Sequence, residues 1–181
     1  ELPSSWKQVD VLINNAGNAH GLEPFQNASV DDFERMIDSN LRGVLVLTHK
    51  LIPLMPRDSG AQIVNISSIA GREAYPKGHV YCATKFAVEA LTRGLRVDLL
   101  PLGIRVSTVS PGLVNTEFSA VRFKGDVERA DAVYNDFTPL YAEDIARTIA
   151  FIIAQPRHVN IADVLVLPTA QADARTVRRD S

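Results

Sequence analysis

With a single cysteine, Cys82, the sequence has no means of forming an internal disulfide, which fits a reducing, cytoplasmic setting. Cys82 directly follows Tyr81, and a small buried filler is its expected role, ahead of a reactive thiol. The four histidines, His20, His49, His79 and His158, are scattered without metal-ligand spacing, so no metal centre is expected. Charge of either sign is not in excess. Nineteen basic residues face 21 acidic ones, a net charge of -2 that gives no electrostatic reason to bind nucleic acid. No apolar run approaches the roughly 18 residues of a membrane span. The opening Glu1-Leu2-Pro3 is not the basic-then-apolar pattern of a secretory leader. Gly-x-Gly-x-x-Gly and Gly-x-x-x-Gly-x-Gly are both missing, so nothing cradles a pyrophosphate in the usual way.

What is present is apolar enough to fold. Hydrophobic residues make up 46% of 181 positions, sufficient for one domain with a sizeable core. Val9 to Ile13 reads as a buried strand running into the loop Asn14-Asn15-Ala16-Gly17. Ser29 stands as an N-cap, and a helical period then runs from Phe33 through Met55 until Pro56 stops it. The pattern repeats with a strand Gln62–Ile66 ending at Ser67-Ser68, a helix from about His79 to Leu100, and a strand Ile104–Val109 ending at Ser110-Pro111-Gly112. A charge-mixed stretch, 116–136, precedes a helix near 142–154 and a last strand near 162–167. Residues 1–170 form one expected domain and 171–181 a frayed polar tail. Strands alternating with long helices predict an α/β fold, a Rossmann-like parallel sheet of about four strands with flanking helices. Such sheets bind ligands beyond the carboxyl ends of their strands, where the first three strands here end in small or polar residues.

Tyr81 and Lys85 lie four apart on a predicted helix and so share a face. A tyrosine hydroxyl titrates near 10, too high for a base at neutral pH, and a nearby ammonium is expected to lower that value. The spacing alone is weak evidence, because most such pairs decorate the surface of an amphipathic helix. Ser68, at the end of the second strand and thirteen positions before Tyr81, adds a hydroxyl able to hold a carbonyl against the tyrosine. Ser67 alternates to the other side of the strand and is the weaker candidate. Asn40 falls on an otherwise apolar helical stripe, where an amide must be hydrogen-bonded. Either it serves the site or it ties the helix to a neighbouring backbone.

Together these residues resemble the short-chain dehydrogenase/reductase family. Asn14-Asn15-Ala16-Gly17 matches its Asn-Asn-Ala-Gly motif. Asn40 stands at the position of the family's active-site asparagine, and Ser68 with Tyr81-Cys82-Ala83-Thr84-Lys85 matches its serine and Tyr-x-x-x-Lys. Ser110-Pro111-Gly112-Leu113-Val114-Asn115-Thr116 is similar to the segment that binds the nicotinamide end. The resemblance implies Tyr81 as general acid/base, Ser68 as carbonyl holder, Lys85 on the nicotinamide ribose and Asn40 anchoring a relay water. It further implies Asn15, Ala16 and Gly17 along the adenosine side of the cleft, and Pro111, Gly112, Leu113, Val114 and Thr116 around the nicotinamide. The segment 116–126 is similar to the branch that oxidises small 3-hydroxy acids, which generally prefers NADP over NAD and forms tetramers. That similarity implies a cytoplasmic homodimer or homotetramer acting on a small molecule. Arg122 and Lys124 are the cations available for a substrate carboxylate, or else belong to a solvated lid. One departure is large: the chain begins just before the fourth strand of the family plan, without the glycine-rich half, which leaves the first strand as an exposed edge. The competing expectation is an inactive half-domain acting as a folding or association module. Tyr141 is a smaller departure, standing at a helix start where a capping side chain is expected.

Overall fold

A computed structural model describes Pro3 and residues 7–180. The opening Glu1-Leu2 and the final Ser181, on which two of the sequence expectations fall, lie outside the described residues. The chain forms an α/β fold around a parallel sheet, in the order β1 (Val11–Asn14), β2 (Gln62–Ile66), β3 (Arg105–Pro111) and β6 (Asp163–Val166). Registers Leu12↔Ile63, Ile63↔Val106 and Thr108↔Asp163 run the four strands in one direction, with β6 and the end of β3 reaching beyond β1, so their carboxyl ends form a stepped edge. A second, two-stranded sheet pairs β4 (Val114–Asn115) with β5 (Leu140–Tyr141).

Alternation along each strand divides the core. Leu12, Ile63 and Val106 face α2 (Gly43–Leu51) and α3 (His79–Asp98), where they pack with Met55 and Leu99. Val64 and Val109 point the other way, against Ile145 and Ile152 of α6 (Ala142–Ile153). On β1 the residues of that second face, Val11 and Ile13, are exposed, as expected for a strand at the sheet margin.

The helix expected from Phe33 to Met55 is broken twice. It begins as α1 (Val30–Ile37), widens into a π-helical turn at Asp38–Arg42, and continues as α2 only to Leu51. The widened turn carries Asn40, and π-turns commonly coincide with functional positions. Pro53, not Pro56, sets the end: it sits in the first positions of a 3-10 turn, Ile52–Leu54, where its missing N–H matters least. Ser29 is the N-cap residue of α1, but its side chain accepts no capping bond. The third strand runs two residues further than expected, to Pro111.

The charge-mixed stretch is structured as β4, α4 (Phe118–Arg122) and α5 (Val127–Ala132). At α6 the absent Tyr141 cap is supplied from within the helix, where Asp144 Oδ2 accepts from the Tyr141 N–H at 2.8 Å. The tail is not frayed. Gln171 is buried and accepts from Leu113 N at 2.9 Å, and the Asp180 N–H reaches Asp136 O at 2.7 Å. Polar composition suggests fraying only when the backbone lacks partners, and here it has them. Among the described residues no helix is long and apolar enough to cross a membrane.

Candidate active site

The site assembles where β1, β2 and β3 end. Beneath it, the α2/α3 face of the sheet turns from apolar to amide. Asn14 Nδ2 donates to Asn65 Oδ1 at 2.7 Å and to Thr48 Oγ1 at 2.9 Å, and Asn65 Nδ2 donates to Thr92 Oγ1 at 2.9 Å. All four side chains are buried, so these bonds replace water and join β1, β2, α2 and α3.

Above this layer, α3 projects Tyr81 and Lys85 from one face, both buried. Lys85 Nζ donates to Ile66 O at 3.0 Å, its one protein acceptor among the described residues. Two of its three protons are thereby left without a protein partner. Ser68 is the N-cap of a 3-10 turn, Ile69–Gly71, and accepts from Ala70 N at 3.1 Å. Its hydroxyl donates to Pro111 O at 3.4 Å and also hydrogen-bonds Tyr81. Ser67 points away and donates to Lys85 O at 3.4 Å. Gly71 approaches α3 so closely that a Cβ would meet Lys85 O at 2.8 Å.

Electrostatics here depart from expectation. Burial drives the Tyr81 hydroxyl well above the usual tyrosine value, while the Ser68 bond and the Arg122 charge only partly oppose it. Lys85 does not supply the expected depression. Its Nζ is held back by Ile66 O and sits 5.9 Å from the Tyr81 ring centroid. Burial also lowers Lys85 itself, to about 8. Tyr81 is therefore a neutral phenol at pH 7, a proton donor. Cys82 is buried with its thiol pushed up by burial, the behaviour of a filler.

Asn40 is consumed by structure. Its Oδ1 accepts from Asn18 N at 2.8 Å, and its Nδ2 donates to Asn18 O at 2.8 Å and to Thr84 Oγ1 at 3.1 Å. The side chain thus ties the loop after β1 to α3, with both of its amide protons committed. Asn15, Ala16 and Gly17 follow β1 as exposed loop residues. A Cβ on Gly17 would lie 3.1 Å from Asn40 Oδ1 and 3.4 Å from Lys85 Nζ, so this loop passes directly over the lysine. Across the cleft, Pro111 closes β3, Gly112 N donates to Val166 O at 2.8 Å, and Leu113 is fixed by Gln171. Val114 is half-buried in β4, and exposed Thr116 accepts from Phe118 N at 3.3 Å.

The two cations of the 116–126 stretch separate. Lys124 turns outward to pair with Asp32 at 2.8 Å. Arg122 turns inward, with its guanidinium 5.2 Å from the Tyr81 ring centroid, 5.6 Å from that of Tyr75 and 5.6 Å from that of Phe118. It donates to Tyr75 Oη, and its buried Nε has no hydrogen-bond partner among the described residues. Tyr81 and Arg122 line a pocket of about 280 Å³, open solvent at its mouth included, together with His20, Glu23, Met36, His79 and Val80. Sequence reasoning missed Tyr75 and Gln171. Neither carries a periodic signal, since both lie in loops and meet their partners only through the fold.

This combination of parallel sheet, strand-end serine and helix-borne tyrosine and lysine defines a class. A profile of the short chain dehydrogenases matches residues 1–126, and the chain belongs to that family of oxidoreductases. It is 44% identical to sulfoacetaldehyde reductase 2 of Chromohalobacter salexigens, over 99% of this chain and 72% of that one. An NADP-dependent 3-hydroxy acid dehydrogenase of Salmonella typhi is 45% identical, over 96% of this chain and 70% of that protein. Among solved structures, the closed form of serine dehydrogenase complexed with NADP+ superposes with a TM-score of 0.92 at 40% identity, covering 99% of this chain and 73% of the other.

Proposed function

We propose that this protein exchanges hydride between NADP and a small substrate whose reacting carbon lies one carbon away from an anionic group. The observation that carries this reading is Arg122, a guanidinium enclosed by Tyr75, Tyr81 and Phe118 with a buried nitrogen that has no partner among the described residues. An unpaired cationic donor beside the proton-transferring hydroxyl suits an anion held at a short, fixed distance from the reacting oxygen. The names of the relatives agree with that chemistry. A 3-hydroxy acid places a carboxylate, and sulfoacetaldehyde a sulfonate, one carbon from the reacting centre.

NADP, which gives or takes the hydride, suits the relatives' names and the free donors of Lys85. Lys85 would bind its ribose, the loop Asn15-Ala16-Gly17 would flank it, and Pro111 to Val114 with Thr116 would border the nicotinamide. The chain's own residues do the rest. Ser68 Oγ holds the substrate oxygen and Tyr81 Oη transfers the proton, with the Arg122 guanidinium the nearby charge that favours the phenolate remaining after donation. Because Tyr81 is a neutral phenol at pH 7, carbonyl reduction is served directly at neutral pH, whereas alcohol oxidation must first remove its proton and rises with pH. The exposed apolar side chains Leu45, Val46 and Leu47 of α2 suit a homo-oligomer.

The test uses the purified protein with NADP and L-serine, 3-hydroxypropionate or 2-hydroxyethanesulfonate, following nicotinamide absorbance. Tyr81→Phe keeps the ring and removes the proton. We expect an activity loss on the order of a thousandfold with thermal unfolding unchanged. Turnover near the unsubstituted level in that variant rejects Tyr81 as the acid/base.

A further inference from the structure

Arg122 is the last residue of α4, and its carbonyl accepts from the Gly21 N–H at 2.9 Å. That bond places the backbone but not the head of a long side chain, whose rotational freedom an incoming anion would have to remove. Among the described residues no ion pair includes Arg122. One side chain accepts from its guanidinium, and that is Tyr75 through Oη.

Tyr75 is itself seated with care. It opens a tight turn in which Gly78 N donates to Tyr75 O at 3.1 Å, Pro76 is the second residue, and Lys77 is the third with φ of 66°. This is the arrangement of a type II turn, which requires a positive φ at its third position. The turn folds the tyrosine ring back onto Gly78, where a Cβ would lie 2.3 Å from Cε2 and 2.5 Å from Cζ. Only glycine leaves room for the ring at that position. Gly78 is the N-cap of α3, three residues before Tyr81, so the turn fixes Tyr75 to the helix that carries the proton donor.

The Arg122 guanidinium is thereby caught between two tyrosines, 5.6 Å from the Tyr75 ring centroid and 5.2 Å from that of Tyr81. The chemistry of the acceptor matters. A carboxylate in the place of Tyr75 would orient the arginine but cancel its charge, whereas a neutral phenol oxygen orients it and leaves the charge available. Burial raises the Tyr75 hydroxyl above the usual tyrosine value, which keeps it neutral beside the cation.

We propose that Tyr75 is a positioning residue for substrate selection: its hydroxyl fixes the Arg122 guanidinium beside Tyr81 without neutralising it, so that the cation is left to a substrate carboxylate or sulfonate. The proposal rests on the reading of Arg122 as the anion-binding group.

The test compares oxidation of 3-hydroxypropionate with that of its uncharged methyl ester, using NADP and nicotinamide absorbance. Tyr75→Phe keeps the ring on Gly78 and removes only the hydroxyl. The ratio of kcat/KM for the acid to that for the ester should fall about 5–10-fold, through KM for the acid more than through kcat. A purely structural role would lower both substrates together and leave the ratio where it was. Arg122→Met should lower the ratio further, and adding Tyr75→Phe to Arg122→Met should change it no more. An unchanged ratio in Tyr75→Phe, or a fall of the same size in the Arg122→Met background, overturns the proposal. The two readings fail differently. An unchanged ratio in Arg122→Met rejects Arg122 as the anion-binding group and the proposal with it, whereas a fall in Arg122→Met without one in Tyr75→Phe rejects only the role of Tyr75.

Discussion

The two sides of the active site are built differently. The sheet side is a buried net: Asn14, Asn65, Thr48 and Thr92 bond one another between strands and helices, and Ser68, Tyr81 and Lys85 rise directly from it. The opposite side, α4 and α5, rests on few ties. Gly21 N donates to Arg122 O at 2.9 Å, Lys124 pairs with Asp32, and Tyr134 bridges Ser119 and Val114 O. Proton transfer requires fixed geometry, whereas substrate entry requires a side that can open. The difference fits the proposed division, with proton transfer on the net and substrate selection on the segment carrying Arg122.

Substitutions on either side can break that comparison, beginning with the largest effect. Asn65→Ala should destabilise the fold by about 3–5 kcal/mol, because it strands Asn14 Nδ2 and Thr92 Oγ1 in the interior and leaves a void. Chemical denaturation checks it, and a loss below about 1 kcal/mol would mean the net is not what holds the sheet side together.

Lys85 provides the next effect. Its pKa is near 8 in the folded protein and about 10.5 when unfolded. Between these values the unfolded chain binds more protons, so this group makes stability rise with pH from 8 to 10.5, by about 3 kcal/mol. Below pH 8 the full penalty applies, and Lys85→Met should remove it; comparing denaturation of the two proteins across that window isolates the lysine. A pH dependence identical in both would show that Lys85 is not desolvated.

On the α4 and α5 side, Arg122→Met should raise KM for anionic substrates about 10–100-fold while changing kcat less. The reverse split would place Arg122 in the chemistry. Lys124→Met should alter stability by less than about 1 kcal/mol, since the lysine is largely exposed. Its effect on KM should be smaller than that of Arg122→Met, and steady-state kinetics rank the two.

Much of the sheet side was legible in sequence. The β-branched run Gln62–Ile66 and the apolar strand at Val106 read directly, because a parallel sheet buries both faces of its strands. Ser68, Tyr81 and Lys85 were legible because a strand end and a helical spacing of four fix where such side chains point. The α4 and α5 side was not. Arg122 and Lys124 have the same charge and lie two residues apart, yet one turns to the aromatic pocket and the other to Asp32. Nothing in the local pattern separates them.

By itself, then, the sequence determined the alternation of strands and helices, the sheet edge where polar residues gather, and the placing of Tyr81 and Lys85 on one helical face, all of which follow from local periodicity. Only the tertiary structure decided which way charges and amides act. It raised the titration of the Tyr81 hydroxyl by burying it, spent the Asn40 side chain on Asn18 and Thr84, and gave Gln171 to the Leu113 loop. Burial and long-range partners set the protonation state and bonding of a polar group, and both come from residues distant in the chain.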